Sequence, residues 1–180
     1  WTYPLERYVI QVKRKPKTQK IIATDLDGTL LNSDTTVSKD NLCAIKRLNE
    51  KGVKIIVLTG RTFYEIPPEI RSYGDVEYFV YSNGAGIQSS KKGIVYYNPF
   101  DRETACEIYE ILDSFDTLIE LYSNQFPYID KEDYTDDSFE YYRIDESFLP
   151  EMKKSRKPIK NLKGLLTDDS YKIEMFNVFF

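Results

Sequence analysis

Two carboxylates two positions apart, Asp25 and Asp27, stand where the apolar run Ile21-Ile22-Ala23 gives way to Gly28-Thr29. Side chains at i and i+2 leave a strand on the same side, and like charges held that close raise each other's pKa unless a cation lies between them. The pair calls for a divalent metal. An oxygen donor set that leaves room for bound water points to Mg²⁺, with Asp25 and Asp27 as its ligands. A calcium loop is excluded, because one starting at Asp25 needs Gly where Leu30 stands and Glu where Thr36 stands, with a helix rather than a strand before it. The sequence contains no histidine, so Ser-His-Asp and Cys-His devices, His-bound zinc and imidazole bases are out of reach. Carboxylates must carry the acid and base work.

The elements that position this pair read as strand, helix, strand. Ile21 to Asp25 opens on β-branched residues and is expected to be a short buried strand. Ser38 is a suitable N-cap for a helix with Leu42, Ile45 and Leu48 on one face, and Gly52 a suitable residue to end it. Val53 to Leu58, apolar except for Lys54, is a second buried strand. A right-handed βαβ crossover makes the two strands parallel, so Asp25 and Thr59 should meet at the carboxyl edge, where open α/β sheets place their ligands. A helix from Thr62 is broken by Pro67-Pro68 before Gly74. Tyr78 to Tyr81 gives a third strand, and Ser82-Asn83-Gly84-Ala85 a turn at its end.

Asp25-Leu26-Asp27-Gly28-Thr29-Leu30-Leu31 resembles the first signature of the haloacid dehalogenase superfamily, and Thr59-Gly60-Arg61 resembles its second. Ser82-Asn83-Gly84-Ala85 resembles the stretch that, in the Cof-type subgroup, borders the active site and leads into a mobile cap. The resemblance implies an α/β fold, a Rossmann-like parallel-sheet core with an inserted α+β cap domain. It also implies a Mg²⁺-dependent phosphatase acting on a small phosphorylated metabolite, a sugar phosphate or similar. Asp25 would be the nucleophile, forming an aspartyl-phosphate, and Asp27 the general acid and base. Gly28, Thr29, Thr59, Gly60 and Asn83 would bind the substrate phosphate, and the metal would sit on Asp25 and Asp27. The family pattern continues with a Lys and a Gly-Asp-x-x-Asn-Asp-like cluster after the cap, and neither stands after Ile87 in the right context. The core is therefore expected to be incomplete at the C-terminus, which leaves Ile21 to Asp25 exposed at a sheet edge. Two other readings stay open: a catalytically impaired protein that binds a phosphate ligand or a partner, and a receiver domain, which fits poorly with an Asp pair on the first strand.

The division expected is a basic tail over residues 1–18, the core over 19–85 and a partial cap over 86–180. In the cap, Gly93 to Tyr97 reads as a strand, and Asp101 to Phe115 as a helix with Ala105, Ile108, Ile111 and Leu112 inward. Leu118 to Tyr122 and Pro127 to Ile129 read as a hairpin, Lys153 to Pro158 as a loop, Asp168-Asp169 as a turn and Tyr171 to Phe180 as a strand. With 180 residues, 41% hydrophobic and 30% charged, the chain can bury a core. A net charge of -4 divides into a basic N-terminal stretch, an acidic middle around residues 101–146 and a basic patch from Lys153 to Lys163, without the basic and aromatic interleaving of a nucleic-acid binder. Cys43 and Cys106 lie far apart and read as buried free thiols. With no apolar run long enough to span a bilayer, no membrane partner and a cytoplasmic location are expected. Oligomeric state has no signature here.

Overall fold

The computed structural model describes residues 19–180, so the expected basic tail lies outside the described residues. Strand β1 (Lys20–Asp25), helix α1 (Lys39–Glu50) and strand β2 (Val53–Leu58) form the βαβ unit, with Asp25 paired to Leu58 in parallel register. Ser38 caps α1 by accepting from the Asn41 N–H at 3.0 Å, and Gly52 leaves the helix at φ +75°, a conformation that costs glycine little. Thr62 opens only a single 3₁₀ turn, Phe63–Glu65. Pro67-Pro68 then delays the next helix, α2, to Pro68–Arg71 before β3 (Val76–Tyr81). Ile55, Val57, Ile66, Ile70 and Phe79 are buried together beneath this sheet.

Two departures from the sequence reading concern this sheet. β1 is not buried as its apolar run suggests; it is an edge strand flanked by β2 alone, with Ile21 58% and Ile22 41% exposed, as expected where the strands on its other side are missing from the core. The strand expected in the cap at Gly93 to Tyr97, β5 (Gly93–Tyr97), instead extends the core sheet, reached through β4 (Gly86–Ser89), where no strand was expected; the two pair antiparallel, giving the order β1-β2-β3-β4-β5. The cause is the turn after β3, where Ser82, Asn83 and Gly84 all have positive φ and fold the chain back so that Gly86 lies opposite Tyr81. A Cβ at Gly86 would overlap the Tyr81 ring, so that position tolerates only glycine.

Residues after Tyr97 build the α+β cap. Helix α3 (Arg102–Asp113) precedes the hairpin β6 (Leu118–Ser123) and β7 (Phe126–Asp130), turned at Asn124 and Gln125 with φ of 50° and 69°. Helices α4 (Asp136–Tyr141) and α5 (Leu149–Ser155) lead to the short strand β8 (Lys157–Ile159), and β9 (Ile173–Phe179) closes a sheet of order β8-β7-β6-β9. The loop expected at Lys153 to Pro158 is thus the end of α5 and the start of β8. Asp101 caps α3, but the buried face runs through Ala105 and Tyr109 while Ile111 is 61% exposed, since steps of three and four from Ala105 carry the stripe past Ile111 to Leu112. Neither thiol is buried: Cys43 is exposed and Cys106 half-buried. No helix among the described residues is long and apolar enough to cross a membrane.

Candidate active site

The parallel register brings the tips of β1 and β2 to one edge. Asp25 ends β1 and accepts the Leu26 N–H on Oδ1 at 2.7 Å, the sole hydrogen bond to its carboxylate among the described residues. The chain then makes a tight turn, Leu26–Leu30, in which Gly28 takes φ +70° and the Leu31 N–H closes on the Leu26 carbonyl at 2.9 Å. Gly28 and Thr29 are exposed on this turn. Just past the end of β2, Thr59 is buried and its hydroxyl accepts the Arg61 N–H at 3.1 Å. Asn83 joins this edge from β3: its N–H donates to the Thr59 carbonyl at 3.2 Å, and its Oδ1 lies 3.1 Å from where a Gly60 Cβ would stand. A larger residue at position 60 would displace the amide.

Arg61 ties the two tips together. Its guanidinium grips the Asp27 carboxylate through both Nε and Nη2, each at 2.9 Å, and reaches Glu151 of α5 through Nη1 at 3.2 Å. Burial alone would lower the Arg61 pKa, but the hydrogen bond and charge of Asp27, with Glu151 and Glu65 behind, leave it raised. Between the sheet edge and the cap lies a cleft of about 510 Å³, reached by Asp27, Gly60, Arg61 and Asn83 from the core and by Phe148, Glu151, Met175 and Phe176 from the cap. A larger groove, about 970 Å³, follows the exposed edge of β1 past Lys20, Ile21 and Leu48, has no carboxylate in its walls and lies away from these residues.

Deeper in the seam, Arg156 bridges core and cap. It donates to Glu65 of the core at 2.6 Å and to both oxygens of Glu120 on β6 at 2.7 and 3.0 Å. Tyr122 accepts a further N–H at 3.0 Å, and its own hydroxyl pKa is pushed up by burial and by Glu120. A second link runs through Glu174 of β9, which accepts from Ser82 at 2.7 Å, Tyr97 at 2.9 Å and the Gln125 N–H at 2.8 Å.

Residues 22–179 match the family described as haloacid dehalogenase-like hydrolase. The chain belongs to that family. It is 30% identical over 109 residues to phosphatase YwpJ of Bacillus subtilis, an alignment covering 61% of this chain and 38% of that protein. A putative phosphatase of Buchnera aphidicola subsp. Baizongia pistaciae is 32% identical over 161 residues, covering 84% of this chain and 60% of that one. The chain thus spans between about two fifths and three fifths of these relatives. Among solved structures, a haloacid dehalogenase-like hydrolase from B. subtilis superposes with a TM-score of 0.67 at 22% identity, covering 86% of this chain and 59% of that one, which shows the α/β core and cap fold.

Of the residues that the resemblance to haloacid dehalogenase-like hydrolases selects, the structure brings Asp25, Asp27, Thr59, Gly60 and Asn83 to one edge, with Gly28 and Thr29 on the adjoining turn. No group of three or more Asp, Glu, Cys or His side chains forms a metal cage among the described residues. The donors present are oxygens, an exposed Asp25 carboxylate with Oδ2 unengaged and the Asp27 main-chain carbonyl, a set that suits a hard cation completing its shell with water. Sequence reasoning missed Arg61 as the partner of Asp27, and the seam residues Glu65, Glu120 and Arg156. Two signals pointed to the acidic members: the Thr62-x-x-Glu65 spacing of a capping box, and a single glutamate inside the apolar strand Leu118-Ile119-Glu120-Leu121-Tyr122.

Proposed function

We propose that this chain carries the nucleophilic half of a Mg²⁺-dependent phosphatase that hydrolyses a small phosphomonoester through an aspartyl-phosphate. One observation carries the reading: an open carboxylate, Asp25, ends a strand beside a second carboxylate, Asp27, which Arg61 holds in a fixed orientation at the mouth of an interdomain cleft. Asp25 Oδ2 attacks phosphorus in line; the new O–P bond forms as the bond to the ester oxygen breaks, and Asp27, once one of its oxygens has left Arg61 and taken a proton from solvent, delivers that proton to the ester oxygen. Asp27, now a carboxylate, takes a proton from water as the water oxygen attacks phosphorus and frees Asp25. The Thr59 hydroxyl and the backbone around Gly28 and Gly60 hold the phosphoryl oxygens. Mg²⁺, held by the Asp25 carboxylate and the Asp27 carbonyl, would neutralise charge on those oxygens. The test is release of inorganic phosphate from p-nitrophenyl phosphate with and without Mg²⁺, in the unaltered chain and in Asp25→Asn. Metal-dependent release that the substitution abolishes supports the proposal, and release surviving it rejects Asp25 as nucleophile.

A further inference from the structure

The cleft contains a charge pattern that bears on what the ester's alcohol can be. Its cations are Arg61 and Arg156. Arg156 has all five N–H groups committed, to Glu120 twice, Tyr122, Glu65 and Ser155, and its side chain is 1% exposed. Arg61 has four committed, two to Asp27 and one each to the Glu65 carbonyl and Glu151. Against these two guanidiniums stand the carboxylates of Asp27, Glu65 and Glu151, with Glu120 directly behind Arg156. The cleft therefore has an excess of negative charge and no uncommitted cation among its described residues. Recruiting Arg156 to an incoming anion would leave Glu65 or Glu120 buried and unpaired, which is strongly unfavourable, and recruiting Arg61 would uncouple Asp27 and Glu151, setting two bare carboxylates beside the same anion. Glu151, meanwhile, uses Oε1 for Arg61 and leaves Oε2 free to accept from a hydroxyl or an ammonium. The remaining cap walls, Phe148, Met175 and Phe176, are uncharged.

We propose that this cleft selects phosphomonoesters whose alcohol is neutral or cationic and rejects those carrying a second anionic group, a carboxylate or another phosphate. The proposal rests on the phosphatase reading for where the phosphoryl group sits, and it adds a rule for the other end of the substrate. Like charges brought together at a recognition site discriminate strongly, and Glu151 is the side chain a second anion would meet first.

Glucose 6-phosphate, glucosamine 6-phosphate and 6-phosphogluconate share one phosphomonoester and differ in distal charge. Calorimetric titration of the full chain bearing Asp25→Asn, in Mg²⁺, measures binding without turnover. The expected result is that the first two bind at least about tenfold more tightly than 6-phosphogluconate. Glu151→Gln should shrink that ratio by about threefold or more. Equal or tighter binding of 6-phosphogluconate overturns the proposal, as does failure of all three esters to bind while inorganic phosphate binds. The two ideas separate cleanly: discrimination in binding with no turnover by the unaltered chain rejects the phosphatase reading alone, whereas turnover of all three at equal kcat/KM rejects the selection rule alone. Failure to bind even inorganic phosphate rejects both.

Discussion

The tip of β1 and the seam under the cap are both built from carboxylates facing arginine, yet they are opposite in character. At the tip, the Asp27 side chain is 56% exposed and its Arg61 partner 14%. In the seam, Arg156, Glu65 and Glu120 are 1%, 5% and 0% exposed. A solvated pair can exchange partners and protons at small cost, while a dehydrated one is held because losing a partner strands a charge. The same chemical groups thus make an open, exchangeable pair in one place and a fixed tie between core and cap in the other, and water access decides which.

The contrast predicts which measurement each substitution moves. Asp25→Asn should lower kcat by about a thousandfold or more while the urea midpoint stays put, because asparagine can still accept the Leu26 N–H; a collapse of stability would erase the distinction between tip and seam. Arg156→Met should do the reverse, destabilising by about 3 to 5 kcal/mol in urea melts by leaving two buried carboxylates. Adding Glu65→Gln and Glu120→Gln should recover much of that loss, which shows whether the stranded charge, rather than lost packing, is responsible.

A milder probe of the seam is Tyr64, whose ring stacks on Phe126 of the cap at 4.4 Å and 6°, with Arg71 and Lys157 on the outer faces. Tyr64→Ala should cost about 1 kcal/mol in the same melts and raise KM more than it lowers kcat. The smallest effect is alkaline. Burial, then Asp113 and Asp130, push the Tyr109 hydroxyl from 10.0 up to about 12. The fold favours its neutral form, so that contribution is whole below pH 10 and is lost as pH rises toward 12. Thermal melts across that range should show stability falling, and Tyr109→Phe should flatten the fall.

The core was legible because its signals are local. The Ser38 cap, the Gly52 exit and the apolar run Val53 to Leu58 each specify their element within a few residues, and the parallel register follows from them. Asp25 and Asp27 were legible for the same reason. Arg61 was not, since nothing near it in sequence says that its side chain spans to Asp27 and Glu151. Arg156 sits among lysines that look like a solvated patch, and only the cap's packing makes it a buried bridge. Strand β4 was not read at all, and β5 was read as a cap strand, because pairing partners depend on the positive-φ turn at Ser82 to Gly84, and Ser82 is not a residue type that advertises such a conformation.

Because β9 completes its sheet by pairing with β6, Leu118 opposite Phe179, Asn177 reaches Glu120 only when nearly all of the described chain has been made. Strands β1 to β3 leave the ribosome far sooner, and each pairs with its neighbour in sequence without needing β9. During translation, then, the edge that carries Asp25 and Thr59 exists for a time without a roof, with Glu65 still wet and the cleft between core and cap not yet enclosed.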